Sequence, residues 1–230
     1  MRSRVRDAVK SMWTTRAVQA DKQLGSGVMD AGNRGTVTGG RHLDAFAILL
    51  ADLARAAGFA EEEIRFRSGV EVPGFYRPTK KWDVVVIRNE RLCAAVELKS
   101  MAGSYGKNLN NRTEEALGSA GDVWAAFKAG TLGLHQPWLG YVFVVRDETR
   151  SRAPVGIPRT PLPTDPVFTG TSYIDRYGIL CERMVLERQY TAAAFMASPK
   201  GTRGTYREPS PGLGFDPFAR AFFGHLIGCT

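Results

Sequence analysis

Trp82-Asp83-Val84-Val85-Val86-Ile87 and Leu92-Cys93-Ala94-Ala95-Val96-Glu97-Leu98-Lys99 are two short apolar runs. They are separated by the polar tetrad Arg88-Asn89-Glu90-Arg91. Runs of this length, rich in valine and bounded by a turn, predict a β-hairpin. In a hairpin the start of one strand lies beside the end of the next. Asp83 therefore meets Glu97 and Lys99 at one end of the sheet. Glu97 and Lys99 are two apart and point to the same face. An ionised residue directly after Ala94-Ala95-Val96 is unusual in an apolar strand.

Elements of either period surround this hairpin. Val5, Val9, Met12, Trp13, Ala17 and Ala20 have helical spacing and predict a helix over 3–24. The glycine-rich stretch 25–40 reads as a loop. Leu43, Phe46, Ala47, Leu50, Leu53, Ala54 and Ala57 recur at three and four and predict a second helix over 41–57, ended by Gly58. Ile64-Arg65-Phe66-Arg67 alternates as a first strand, broken at Pro73-Gly74 and Arg77-Pro78. After the hairpin, 103–111 reads as a polar loop. A helix follows over 113–128, with Thr113 a candidate N-cap, and then a strand over 138–145. The proline-rich stretch 147–171 is a long loop. Residues 172–196 read as one or two helices, 200–211 as a loop and 215–227 as a closing apolar helix. The expected architecture is a single α/β domain over 1–230: a mixed central sheet flanked by helices, core at about 41–146, with helical flanks at 1–24 and 172–230.

Composition narrows the class. Of 230 residues, 43% are hydrophobic and 23% charged, an ordinary globular balance. The net charge of +8 favours a polyanionic partner, nucleic acid first and an anionic membrane surface second. No run approaches the ~18 apolar residues of a membrane span. The charged start, with Arg2, Arg4, Arg6 and Lys10, lacks the apolar segment of a secretory signal. Cys93, Cys181 and Cys229 are far apart and form no CxxC pair. Buried free thiols in a cytoplasmic protein is the expectation.

The hairpin also carries the chemistry. Two carboxylates, Asp83 and Glu97, with the backbone carbonyl of Leu98, are hard oxygen ligands suited to Mg2+. Mg2+ neutralises phosphate charge and acidifies a bound water. Lys99 can orient or deprotonate the attacking water and stabilise the transition state. Acidic residues are common at strand ends, and Glu-x-Lys is often a surface ion pair. The pattern has weight as a set: Asp83, thirteen residues, then Glu97-Leu98-Lys99, on a hairpin set between helices.

With that order and triad the chain resembles the PD-(D/E)xK nuclease core, although Trp82 stands where the motif's proline would be. Further runs carry a narrower likeness: Gly32-Asn33-Arg34-Gly35, Thr38-Gly39-Gly40, Val96-Glu97-Leu98-Lys99-Ser100, and above all Asn110-Asn111-Arg112-Thr113-Glu114-Glu115-Ala116. These resemble the XhoI family of type II restriction endonucleases over roughly 28–146, and more thinly through Tyr190. The resemblance implies a homodimer that cuts double-stranded DNA at 5′-CTCGAG-3′ after the first C, leaving four-base 5′ overhangs. It also implies a cognate DNA methyltransferase in the same system, on another chain.

Asn108, Asn110, Asn111 and Arg112 are expected just past the catalytic strand, in a loop entering a helix. Asparagine pairs bidentately with adenine and arginine with guanine in the major groove. A plain asparagine-rich turn is the structural alternative. Lys80, Lys81 and Lys107 are candidate phosphate contacts, or else solvated surface lysines. Arg34, in the glycine-rich loop, and Ser100, next after Lys99, complete the expected DNA contacts. His42 reads as a cap or packing residue, and Glu71 as a possible further carboxylate. A structure-selective nuclease on the same core and a non-cleaving DNA-binding module remain the alternatives.

Overall fold

The computed structural model describes residues 1–25 (side chains to residue 20) and 41–229. Among them no helix is long and apolar enough to cross a membrane. The centre is a five-stranded sheet of order β1-β4-β5-β6-β7, built from Ile64–Phe66, Val84–Arg88, Arg91–Met101, Trp138–Arg146 and Ala192–Ser198. β1, β4 and β5 are antiparallel, whereas β5, β6 and β7 are parallel. A separate two-stranded ribbon pairs β2 (Glu71–Pro73) with β3 (Thr79–Lys81).

Helices cover both faces. α1 (Arg2–Gly25), α2 (Asp44–Ala56) and α5 (Phe215–Ile227) share one core with Val84, Val96 and Leu98. α3 (Tyr105–Lys128) and α4 (Tyr173–Leu186) share the other with Val85, Tyr141 and Phe195. Burial on both sides explains why β5 and β6 are near-continuous apolar runs: central strands have no solvent face. α3 crosses over from β5 to β6 and α4 from β6 to β7, as parallel neighbours require.

The predicted hairpin is present, with Val84 opposite Val96 and Val86 opposite Ala94. The closing helix and the strand at 138 also fall as expected. Three expectations are corrected. Residues 192–198 form a strand, not helix. Ala192-Ala193-Ala194 favours helix locally, but small side chains fit between α4 and α5 beside β6, and packing overrides propensity. Pro73-Gly74 and Arg77-Pro78 do not merely break the chain; they turn it into the β2–β3 ribbon.

The third correction bears on the site. Residues 105–111 are not loop, and Thr113 is no N-cap: α3 begins at Tyr105, after Ser104 in a left-handed conformation (φ 52°). The first turns, Gly106-Lys107-Asn108 and Asn110-Asn111, carry a glycine and three asparagines, which are poor helix formers. Tertiary contacts hold them. The Tyr105 ring is buried and stacks on Tyr173 at 5.6 Å, and its hydroxyl donates to Glu148 (2.8 Å).

Candidate active site

Asp83 lies one residue before β4 and extends its ladder. Its backbone N–H donates to the Val96 carbonyl (3.1 Å), and its carboxylate accepts the Leu98 N–H (2.7 Å). The second bond shows that the Leu98 backbone faces Asp83. In a strand, the N–H and C=O of one residue point the same way, so the Leu98 carbonyl also faces the Asp83 side. Burial pushes the Asp83 carboxyl above its ordinary range, against the opposing pull of the Leu98 N–H and Lys99.

Glu97 is 3% exposed. One oxygen meets Lys99 Nζ at 2.8 Å and Lys80 Nζ at 3.4 Å. The other accepts the Tyr190 hydroxyl at 2.9 Å. Burial opposes its ionisation, but Lys99, Lys80 and Tyr190 outweigh burial, and its pKa lies below the ordinary glutamate value. Lys99 also reaches Glu115 on α3 at 3.8 Å.

Of the two readings of Lys80, the solvated surface lysine does not hold. Lys80 is a largely buried member of this cluster and lies 4.1 Å over the Trp82 ring. Burial lowers its pKa, with Lys99 adding to the effect and Glu97 opposing it. Sequence reasoning misses Tyr190, which reaches Glu97 from 93 positions away through the approach to β7. No local pattern signals that. The triad members do come together, as the hairpin register predicts.

Two clefts flank the cluster. One, of about 330 Å3, is lined by Arg77, Lys80, Lys81, Glu97, Lys99 and the α3 residues Glu114, Glu115, Gly118 and Ser119. The other, of about 820 Å3, lies across the strand ends and includes Asp83, Leu98, Lys81, Trp82, Arg41 and Arg67. Alternation explains the split: the Glu97 and Lys99 side chains face α3, and Leu98 faces the opposite layer.

The expected DNA contacts fall in different places. Asn108 donates to the Ser104 carbonyl (2.9 Å), fixing the first turn of α3. Helical spacing puts Arg112 on the same face as Glu115, with which it pairs, and Ser119. Asn110 lies instead with Thr113 and Leu117, along a groove against α4. The four are therefore split over two helix faces, not gathered in one loop. Asn111 and Lys107 are exposed on α3. Lys81 is exposed and pairs with Glu71 (3.3 Å). Ser100 faces the α1 side, where its hydroxyl accepts from Arg16 (2.7 Å) and lies 2.6 Å from buried His42. Arg34 lies outside the described residues.

Among the described residues, no group of three or more Asp, Glu, His or Cys side chains is gathered as a metal cage. Two carboxylates and a carbonyl fit a hard cation that keeps several of its own waters. They do not fit a thiolate- or imidazole-bound metal. The lysines compensate the Glu97 charge at the same place. Carboxylates and ammonium groups converging beside an open basic cleft are suited to hydrolysis of a phosphate ester.

The sequence matches the family model described as "Restriction endonuclease XhoI" over residues 22–208. It is 42% identical over 206 residues to the type II restriction enzyme BstVI of Geobacillus stearothermophilus, covering 86% of this chain and 92% of the relative. It is 39% identical over 185 residues to the type II restriction enzyme XhoI of Xanthomonas vasicola, covering 78% and 73%. It is 40% identical over 151 residues to the type II restriction enzyme AbrI of Azospirillum brasilense, covering 64% and 68%. No solved structure gives a significant match. The chain is an enzyme that hydrolyses DNA. It belongs to the XhoI family of restriction endonucleases.

Proposed function

We propose that the chain is a Mg2+-dependent, site-specific endonuclease on a PD-(D/E)xK core, acting as a single domain in the cytoplasm. The observation that carries this reading is the meeting of Asp83, Glu97, Lys99 and the Leu98 backbone at the paired ends of β4 and β5. Asp83, Glu97 and the Leu98 carbonyl would hold Mg2+. When bound, Mg2+ neutralises charge on the scissile phosphate and makes a water more acidic.

The chain's own groups do the positioning. Lys99 hydrogen-bonds the attacking water and stabilises charge on the phosphoryl oxygens as the new P–O bond forms. The bond to the 3′ oxygen breaks, leaving 5′-phosphate and 3′-hydroxyl ends. Tyr190 holds the Glu97 carboxylate in one orientation. The proposed DNA contacts are Lys80 and Lys81 in the catalytic cleft, Lys107, Asn108, Asn111 and Arg112 on α3, Ser100 on the α1 side, and Arg34. Asn110 faces the groove toward α4. The target we propose is 5′-CTCGAG-3′, cut after the first C with four-base 5′ overhangs. A palindrome is met by a two-fold homodimer, one site per strand. A methyltransferase of matching specificity would protect the host DNA.

The test is digestion of unmethylated plasmid with Mg2+, with EDTA and Glu97→Ala controls, and sequencing of the ends. One set of cuts at C^TCGAG, absent from both controls, is expected. Cuts at scattered or branched sites would replace this reading with a structure-selective nuclease. Folded protein that binds DNA without cutting would replace it with a binding module.

A further inference from the structure

The turn between β2 and β3 carries two exposed aromatic rings on a fixed mount. Phe75 is 56% and Tyr76 78% exposed, and their rings meet edge to face at 5.0 Å. Large rings in solvent are usually mobile, but here the backbone beneath them is held from α3. Asp122, 3% exposed, accepts the Phe75 N–H (2.8 Å), the Tyr76 N–H (3.0 Å) and Arg77 Nε (2.6 Å). Gly74 permits that approach: a Cβ there would lie 2.8 Å from an Asp122 oxygen and 2.6 Å from the Arg77 carbonyl. A buried charge is thus spent on holding a surface turn. No packing need of the core explains it, since both rings point outward.

The surroundings identify what the rings meet. Arg77, next in the turn, lines the catalytic cleft with Lys80, Lys81 and Lys99, which outnumber the carboxylates Glu97, Glu114 and Glu115 there. The ribbon that carries the rings runs on directly into Asp83. Cations with interleaved aromatics beside a phosphate-cleaving centre match a nucleic acid, whose backbone takes the cations and whose bases and sugars take apolar surface.

We propose that Phe75 and Tyr76 pack against the bases and sugars of a groove of duplex DNA lying across the catalytic cleft. Asp122 acts as the positioning residue of the turn. The inference rests on the nuclease reading above.

The test compares the wild type, the Phe75→Ala/Tyr76→Ala variant and the conservative Phe75→Tyr/Tyr76→Phe variant. Binding of a fluorescein-labelled duplex containing CTCGAG is followed by anisotropy over a salt series, with Ca2+ in place of Mg2+. Plasmid cleavage is followed with Mg2+. The alanine variant should bind at least about tenfold more weakly, because two rings of apolar contact surface are lost from the groove. Its melting temperature and the slope of log Kd against log salt should not change, because no phosphate contact is lost. The conservative variant should bind as wild type does. Equal binding and cleavage by the alanine variant would overturn the inference and leave the nuclease reading standing. A flatter salt slope would overturn it in favour of phosphate contacts. A shift from dimer to monomer in DNA-free sedimentation would overturn it in favour of a second copy of the chain covering the rings. A wild type that neither binds nor cuts DNA would overturn both readings.

Discussion

Tyr190→Phe removes one oxygen atom and tests how the site holds its central carboxylate. The Tyr190 hydroxyl donates to Glu97 at 2.9 Å and also lies 3.2 Å from the Ala116 carbonyl, both in a fully buried setting. A hydrogen bond to a charged group contributes about 1.5–3 kcal/mol. For a chain of this size each kcal/mol moves the melting temperature by about 2–4 °C. The variant should therefore melt about 3–12 °C lower at neutral pH. The pH dependence has a definite sign. Glu97 titrates below its ordinary value in the folded protein, so its ionised interactions stabilise the fold above the ordinary glutamate range. That contribution fades as pH falls through the depressed pKa. Losing the hydroxyl moves the Glu97 pKa upward, so the gap between variant and wild type is widest at neutral pH and narrows in acid. Calorimetry from neutral to acid pH reads this directly. Cleavage should fall about 10- to 100-fold, as when a group orienting a metal ligand is removed, with a higher Mg2+ requirement. Equal melting temperatures at neutral pH together with an unchanged Mg2+ dependence would refute the argument that Tyr190 orients an ionised Glu97.

Other outcomes follow from the same structure. Asp83→Asn keeps an oxygen to accept the Leu98 N–H, and burial already raises the Asp83 pKa, so folding favours the uncharged form. The variant should melt at or above the wild-type temperature at neutral pH, converge with it in acid, and fail to cut plasmid. Asp122→Ala leaves Phe75, Tyr76 and Arg77 without their shared acceptor and should cost about 2–4 kcal/mol. The Asp122 pKa is depressed by the Tyr76 and Phe75 N–H groups and Arg77, which outweigh burial, so this loss should shrink as pH falls; limited proteolysis should open first at the 74–78 turn. Gly140→Ala puts a Cβ 2.3 Å from the Trp138 ring and 2.9 Å from Phe218, between β6 and α5. It should cost about 1–3 kcal/mol by overpacking, measured in a urea melt.

The hairpin of β4 and β5 was legible because its causes are local. An apolar run, a polar tetrad and a second apolar run specify the pairing, and the pairing specifies which carboxylates meet. The closing helix was legible for the same kind of reason: Phe215, Phe218, Ala219, Phe222 and Leu226 repeat at helical spacing, and all are buried. The start of α3 was not, because Gly106-Lys107-Asn108 has no apolar face, and Tyr105 holds it through Tyr173, Tyr177 and Glu148 far along the chain.

Sequence alone thus determined that Asp83, Glu97 and Lys99 share one end of a sheet, since strand register and side-chain alternation depend on neighbours in the chain. Tertiary structure decided the rest of the site. It turned Lys80 inward onto Glu97, brought the Tyr190 hydroxyl to the same carboxylate, and spread Asn108, Asn110 and Arg112 over two helix faces. It also made a strand of Ala192–Ser198, whose local propensity is helical. The Lys80 and Tyr190 contacts to Glu97 join residues 17 and 93 positions apart. The free energy that selects them is burial and charge pairing in the assembled core, for which no short window of sequence carries a signal.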